Sequence, residues 1–184
     1  SLNALGDMYR LGEEVEEDGK KALSLYRKAE EMHSREAITS IGFMYYAGQG
    51  VDFDEGKAFS YFQKAAGEGD LDALFMMGRC YLEGSAVEKD DRKAATCFKE
   101  AADRGYPMGM WALGQSYLHG IGVERDEKKA VALYQKAAGM NLAAAYSALA
   151  QCYRYGAGVS EDKAAAVEMY KRAFALGQGG AADE

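Results

Sequence analysis

Several features that would assign the chain to a membrane, nucleic-acid or secreted class are missing from the sequence. No run of apolar residues approaches the roughly 20 that a membrane-spanning helix requires, and no secretory signal is visible. The 29 acidic residues outnumber the 22 basic ones, which gives a formal net charge of -7. Because binding to nucleic acid depends on basic side chains that neutralise phosphates, we expect neither a nucleic-acid partner nor membrane insertion.

Cysteine is also scarce, and its spacing argues against the common cysteine-based scaffolds. Cys80, Cys97 and Cys152 are an odd number without a CxxC pair, which disfavours a zinc cage and a full disulfide framework. This composition favours a reducing, cytoplasmic compartment. The chain starts at Ser1 without a methionine, so an origin in a longer protein, with a periplasmic or secreted location, stays open.

The sequence instead contains one pattern five times, with a period of 36 residues and no insertion or deletion. We expect repeats at residues 1–36, 37–72, 73–108, 109–144 and 145–178, followed at 179–184 by a flexible tail or the start of a further repeat. The clearest constant columns are Gly6, Gly42, Gly78 and Gly114, with Ala150 in the fifth copy; Tyr9, Tyr45, Tyr81, Tyr117 and Tyr153; Gly12, Gly48, Gly84, Gly120 and Gly156; and Asp18, Asp54, Asp90, Asp126 and Asp162.

Each copy of the pattern predicts two helices. Apolar or small residues at repeat positions 1, 2, 5, 6, 8 and 9 follow one face of a first helix, helix A. The glycine at position 12 is expected to end helix A in a left-handed conformation, and the aspartate at position 18 to begin a second helix, helix B. A glycine at position 6 costs about 1 kcal/mol relative to alanine inside a helix, so we interpret it as a close contact with the small alanines of helix B. Helix B is expected to end near His33, Gly69, Gly105, Asn141 and Gly177.

The glycine-rich stretch GQGVDFDEGKA at residues 48–58 invites comparison with a phosphate-binding loop. Such a loop needs four residues between its first glycine and its Gly-Lys pair, then serine or threonine. Here the spacing differs and Ala58 follows Lys57. Equivalent stretches also occur at residues 12–22, 84–94, 120–130 and 156–166. We therefore predict a turn between two antiparallel helices rather than a ligand site.

The columns resemble those of the Sel-1-like repeat family, which is related to the tetratricopeptide repeats. The shared pattern is Ala…Leu-Gly…Tyr…Gly-x-Gly-Val…Asp…Lys-Ala…Tyr…Lys-Ala-Ala…Gly, clearest at residues 112–138. The resemblance implies an all-α fold, a right-handed superhelix of five helix-turn-helix repeats in one solenoid domain. It also implies a non-enzymatic scaffold or adaptor that binds another protein or a peptide. A regulatory or assembly module within a larger enzyme or ubiquitin-ligase-type complex is the alternative.

The sequence offers little for catalysis or metal binding. His33 and His119 fall in different repeats, and the acidic run at residues 13–18 lacks the alternating ligands and central glycine of a calcium loop. A cysteine-rich subgroup of the same family resembles β-lactamase-like enzymes and staples its repeats with paired cysteines; alanine or glycine stands at those places here, so a hydrolase is the least favoured function. Core packing is the preferred role of Cys80 and Cys152, which occupy the same position of helix A. Cys97 falls on the apolar face of helix B, and a disulfide between Cys80 and Cys97 stays open. We expect no catalytic residue, cofactor or metal.

The variable columns indicate where a partner would bind. Positions 3, 7, 10 and 11 of helix A change chemical class between copies and share the face opposite the packing stripe. In tetratricopeptide-type solenoids, this face lines the concave groove. The candidate groove residues are Phe43, Tyr46, Phe75, Arg79, Leu82, Trp111, Gln115, Leu118, His119, Arg154 and Tyr155.

An exposed apolar strip is expected along this groove, because contiguous exposed apolar surface usually marks an interaction site. Trp111, the only tryptophan, is the first choice of binding anchor. The alternative is that Leu82 and Leu118 fill gaps between helices and that Trp111 packs on the next repeat.

Overall fold

The computed structural model describes residues 1–179, which form ten α-helices and, within that range, no strand. The helices are α1 (Leu2–Leu11), α2 (Gly19–Glu31), α3 (Arg35–Ala47), α4 (Glu55–Gly67), α5 (Leu71–Glu83), α6 (Asp91–Asp103), α7 (Pro107–His119), α8 (Glu127–Gly139), α9 (Ala143–Tyr155) and α10 (Lys163–Gly179). Odd-numbered helices are helix A and even-numbered helices are helix B of five successive repeats. The predicted all-α helix-turn-helix architecture is confirmed. The tail expected at 179–184 lies outside the described residues apart from Gly179.

The helices group into two compact units, each with its own core. The first unit contains α1 to α5 and ends at Lys89, and the second begins at Asp90 and contains α6 to α10. Tyr26 and Phe62 are fully buried in the first unit, and Tyr134 is fully buried in the second. The unit boundary therefore falls in the turn of the third repeat, between its helix A and its helix B.

Glycine and aspartate set the ends of the helices as predicted. The position-12 glycines have φ between 66° and 74°, and each donates its N–H to the carbonyl oxygen four residues earlier. Each position-18 aspartate accepts, through its carboxylate, the N–H of the residue three positions later at 2.9–3.0 Å. The stretch at 48–58 is therefore a turn at residues 48–54 that joins α3 to α4, followed by the first residues of α4.

The second glycine of this turn has a separate packing role. Gly50 has φ 69° and lies against the backbone of Gly19, the first residue of α2. In the second unit, Gly122 lies against the carbonyl oxygen of Asp91 in the same way. A Cβ at either glycine would overlap this backbone, so the turn of one repeat rests directly on the start of helix B of the preceding repeat.

The glycine inside helix A contacts an aromatic ring, so the prediction of alanine neighbours was wrong. A Cβ on Gly6 would lie 2.6 Å from Cε1 of Tyr26, and a Cβ on Gly114 would lie 2.5 Å from Cε1 of Tyr134. The ring at position 26 packs against helix A and occupies the space that a side chain at position 6 would need. The fifth repeat has Ala150 at position 6, and its ring, Tyr170, is 37% exposed.

The predicted end of helix B is confirmed in four repeats and wrong in the fifth. His33, Gly69, Gly105 and Asn141 all have positive φ just after helix B. In contrast, α10 continues through Gly177 to Gly179. Glycine permits a left-handed conformation without requiring it. In the first four repeats, the chain must turn there because the next helix A begins within two residues.

Candidate protein-binding surface

The variable positions of helix A form a separate surface on each unit. The first-unit face consists of Asn3, Asp7, Arg10, Leu11, Thr39, Phe43, Tyr46, Ala47, Phe75, Arg79, Leu82 and Glu83. The second-unit face consists of Trp111, Gln115, Leu118, His119, Ser147, Gln151, Arg154 and Tyr155.

Exposure along the first-unit face differs from the expected apolar strip at one residue. Phe43, Tyr46, Arg79 and Leu82 are half-buried, whereas Phe75 is only 8% exposed. Position 3 lies one turn before the packing residue at position 6, so a large side chain there turns toward the core. The open part of the first-unit face is therefore formed by positions 7, 10 and 11.

Arg79 is held in place by two neighbouring side chains. Its guanidinium pairs with the Glu83 carboxylate at 2.7 Å and donates to the Tyr46 hydroxyl at 3.3 Å. The Tyr46 hydroxyl in turn donates to Glu83 at 3.3 Å, and burial raises the pKa of Tyr46. The arginine is thus oriented, and its charge is balanced within the face.

A second hydrogen-bonded group occupies helix α1. The Tyr26 hydroxyl donates to the Asp7 carboxylate at 2.7 Å and accepts from Nε of Arg10 at 3.3 Å. Arg10 and Asp7 also form an ion pair at 3.7 Å. Burial, together with the Asp7 acceptor, raises the pKa of Tyr26 to about 12. The hydroxyl at position 26 is therefore satisfied by side chains at positions 7 and 10 of the same repeat.

On the second-unit face, the apolar residues serve packing as well as surface. Trp111 and Leu118 are half-buried and pack against the core cluster formed by α8 and α9. Gln115 is half-buried, whereas His119 and Arg154 are exposed. The packing role proposed as the alternative for Trp111 and Leu118 is thus observed, and part of each side chain stays accessible.

Tyr155 is the most open aromatic residue of the second-unit face. Its side chain is 70% exposed, and the guanidinium of Arg154 lies 5.3 Å from the centroid of its ring. A flat ring stacked with a guanidinium presents apolar and charged surface side by side, which suits contact with another protein.

The Tyr134 hydroxyl is a feature that the sequence reasoning missed. The side chain is 0% exposed, and the hydroxyl has no hydrogen-bond partner among the described residues. Burial raises the pKa of Tyr134 well above its ordinary range. Its repeat has Gln115 and Leu118 where the first repeat has Asp7 and Arg10, the partners of Tyr26. Comparing position 26 with positions 7 and 10 along the sequence is the signal that would have identified it.

The lysines of the glycine-rich stretches have a structural role. Lys57 of the glycine-rich turn pairs with Asp54 at 3.4 Å and lies 5.2 Å from the centroid of the Tyr45 ring. Lys129 makes the equivalent contacts with Asp126 and Tyr117. Each lysine thus joins the start of helix B to helix A of its own repeat, a contact that needs no phosphate.

The cysteines are free thiols, so the disulfide left open for Cys80 and Cys97 is absent. Burial raises the pKa of Cys97 to about 11, which keeps that thiol protonated near neutral pH.

Across residues 1–179, no three side chains of histidine, cysteine, aspartate or glutamate come together as a metal site. None of the described helices has the length and apolar character needed to cross a membrane.

Comparison with known proteins places the repeats in a family. The family model described as Sel1 repeat matches residues 1–34, 35–70, 71–106, 107–142 and 143–178. Among solved structures, the chain is similar to a Sel1 repeat protein from Oxalobacter formigenes, with 34% identity and a TM-score of 0.85; the match covers 96% of this chain and 72% of that one. No curated protein matches the chain in sequence.

Two further solved structures are similar to the chain. One is c5321, a protective antigen present in uropathogenic Escherichia coli strains that displays an SLR fold, with 30% identity and a TM-score of 0.79; the match covers 96% of this chain. The other is Helicobacter pylori cysteine rich protein B, with 29% identity and a TM-score of 0.55, covering 70% of this chain and 92% of that one. The chain spans only 38% of the length of the c5321 chain.

Proposed function

The chain belongs to the Sel1 repeat family, whose members generally mediate protein–protein interactions, and on that premise we propose that it is a non-enzymatic interaction module. Its partner would be a peptide or the surface of another protein. Binding would take place on the helix A faces of its two units, while the constant columns hold the helices together.

The observation that carries this proposal is the contrast between two helical surfaces of the second unit. The second-unit face presents Tyr155 and the accessible parts of Trp111 and Leu118. The exposed side of helix B carries ordinary polar residues such as Gln135 and Lys136. Aromatic and arginine side chains contribute most of the energy in protein interfaces, and here they occur at positions that vary between repeats.

A role as an assembly or regulatory part of a larger complex is the second candidate. It is favoured by the length of c5321, of which this chain spans 38%, since repeats of this kind can form one part of a longer protein. The hydrolase alternative depended on paired cysteines, and this chain has three free cysteines. Both remaining candidates require a protein partner and differ in what the partner does.

Affinity capture with matched variants tests the proposal. Tyr46→Ala with Arg79→Ala alters the first-unit face, and His119→Ala with Tyr155→Ala alters the second. Gln135→Ala with Lys136→Ala alters only the exposed side of α8 and serves as the control. We expect the wild-type chain and the control to retain the same proteins, identified by mass spectrometry, and at least one face variant to lose them. Equal retention by all four chains would contradict the proposal.

A further inference from the structure

The second-unit face lacks carboxylates in a protein that is otherwise rich in them. Helices α7 and α9 contain no aspartate or glutamate, although the whole chain has 29 acidic residues and a net charge of -7. Arg154 is the only arginine or lysine on these two helices. This part of the surface is therefore neutral to positive.

Arg154 differs from the arginines of the first-unit face in having no acidic partner. Arg10 pairs with Asp7, three residues away, and Arg79 pairs with Glu83, four residues away. The residues three and four positions from Arg154 are Ala150, Gln151, Ala157 and Gly158. Within residues 1–179, its side chain contacts the ring of Tyr155 and no carboxylate.

The buried Tyr134 hydroxyl is a second sign that the second-unit face lacks the carboxylate present in the first repeat. A Cβ on Gly6 would lie 2.6, 2.9 and 3.1 Å from Cε1, Cδ1 and Cζ of Tyr26, and a Cβ on Gly114 would lie 2.5, 2.9 and 3.1 Å from the same atoms of Tyr134. The two rings thus sit on their helices in the same way. The Tyr26 hydroxyl donates to the carboxylate of Asp7; the Tyr134 hydroxyl points to the equivalent place and finds no partner among the described residues.

We propose that the second-unit face binds a segment of a partner protein in which a carboxylate lies next to an apolar side chain, the carboxylate pairing with Arg154 and the apolar group contacting Trp111 and Leu118. This inference rests on the proposed function and names the chemistry of the partner.

Three properties of the face suit such a segment. A guanidinium can bind a carboxylate through two parallel N–H donors. The half-buried Gln115 can donate to a partner's carboxylate with its amide nitrogen, which an aspartate at this position could not do. The net negative charge of the rest of the chain is screened over about 8 Å at physiological salt, so the local charge of the face dominates binding.

Selection of peptides tests the inference directly. Random 12-residue peptides displayed on phage would be selected on the immobilised full chain, and one enriched peptide would be labelled with fluorescein for anisotropy measurements of Kd. We expect enriched peptides to carry aspartate or glutamate within a few residues of an aromatic or leucine. Arg154→Gln should raise Kd about tenfold or more, and Arg154→Glu should raise it further.

Arg92→Gln is the matched control, because Arg92 is an exposed arginine on α6 outside the face. It should change Kd by less than about twofold. Equal loss of affinity in Arg92→Gln and Arg154→Gln would show attraction to overall charge and overturn the inference. Circular dichroism of each variant checks that the fold is intact, which is expected since both arginines are exposed.

The inference and the proposed function can fail separately. Suppose that neutral or basic peptides are selected, and that Tyr155→Ala weakens them whereas Arg154→Gln does not: the carboxylate inference is then wrong while binding at the face stands. Enriched acidic peptides insensitive to Arg154→Gln also contradict the inference. If no peptide is enriched above background, the inference is wrong, and affinity capture with the face variants decides the proposed function by itself.

Discussion

Gly114 shows how the absence of one side chain allows a helix pair to close. The ring of Tyr134 occupies the position of its missing side chain, so Gly114→Ala would place a Cβ 2.5 Å from Cε1 of that ring. Overpacking of this kind costs about 1–3 kcal/mol, more than the roughly 1 kcal/mol gained in helix propensity. We expect Gly114→Ala to lower the free energy of unfolding measured in urea.

Gly139→Ala is the matched control for this prediction. Gly139 ends α8, and a Cβ there would meet nothing within 4 Å. The substitution should leave stability unchanged or raise it by up to about 1 kcal/mol. Destabilisation of both variants to the same extent would mean that the contact with Tyr134 does not explain the glycine column.

The aspartates that begin helix B predict a loss of stability in acid. The backbone N–H groups that their carboxylates accept hold the pKa of Asp54, Asp90 and Asp126 below its ordinary value. A pKa lowered by folding contributes stability above the unfolded-state pKa, about 3.9, and this contribution is lost as the pH falls through the folded-state value. The melting temperature should therefore fall as the pH is lowered from 5 to 3.

Replacing the three aspartates with asparagine separates this effect from general acid denaturation. Asparagine is also a good N-cap residue and does not titrate. The melting temperature of the triple variant Asp54→Asn, Asp90→Asn, Asp126→Asn should depend less on pH between 5 and 3 than that of the wild type. Parallel curves for the two proteins would show that these carboxylates are not responsible.

Trp111 and Tyr155 have different roles although both belong to the second-unit face. Trp111 packs partly against the core cluster of its unit, whereas Tyr155 is 70% exposed. We expect Trp111→Ala to lower the free energy of unfolding by about 1 kcal/mol or more, and Tyr155→Ala to change it by less than about 0.5 kcal/mol. Urea unfolding curves of the two variants, measured side by side, check this difference; equal stability of both variants would contradict the packing seen for Trp111.

At the scale of elements, the turn between helices A and B determines how successive repeats stack. Gly122 lies against the Asp91 carbonyl oxygen, where any Cβ would overlap the backbone. Gly122→Ala should therefore destabilise the protein by about 2 kcal/mol or more, through this overlap and through its φ of 69°. In the third repeat, the equivalent residue is Ala86, which has φ 64°. Ala86→Gly should relieve this conformation and stabilise the protein by up to about 1 kcal/mol.

Opposite effects of the two substitutions, measured by urea unfolding, are the expected outcome. If Gly122→Ala is neutral, the turn has room to move away from α6 and does not set the stacking of the repeats. If Ala86→Gly destabilises the protein, the entropy of glycine in the unfolded chain outweighs the relief of the left-handed conformation.

The constant columns were sufficient to predict the helices and their caps, because each cap depends on a single residue type and its immediate backbone neighbours. They were insufficient to predict packing contacts between residues that are far apart in the sequence. Gly6 and Gly114 were predicted to contact alanines of helix B, because glycine and alanine are both small. In the structure, an aromatic ring of helix B packs against each glycine instead. Helix α10 passes through Gly177, because glycine permits a left-handed conformation without requiring it.

The candidate site was predictable only as a face of a helix. Periodicity indicates which residues share a side, but how deeply neighbouring helices cover that side depends on their side chains. Phe75 is therefore buried at a position expected to be open, and Trp111 contributes to a core. The missing partner of Tyr134 became visible only when the contacts of one repeat were compared with those of another.

At the scale of the whole molecule, the constant residues account for the fold, and the variable residues are those that we propose to bind a partner. Caps, glycine contacts and buried aromatic rings recur in both units and account for the helical repeats. The variable residues of helix A give the two units different surfaces. On the first-unit face, both arginines are paired with carboxylates, whereas Arg154 on the second-unit face is not. We infer that the second unit carries the more selective contact with a partner.

The central claim is that a partner binds the helix A face, and nuclear magnetic resonance of the ¹⁵N-labelled chain tests it most directly. On addition of a captured partner segment or a selected peptide, we expect the largest shifts at the backbone amides of Gln115, Gln151, Arg154 and Tyr155 and at the indole N–H of Trp111. Amides on the exposed side of α6 and α8 should stay unchanged. Shifts confined to α6 and α8, with the α7 and α9 signals unaffected, would contradict the account.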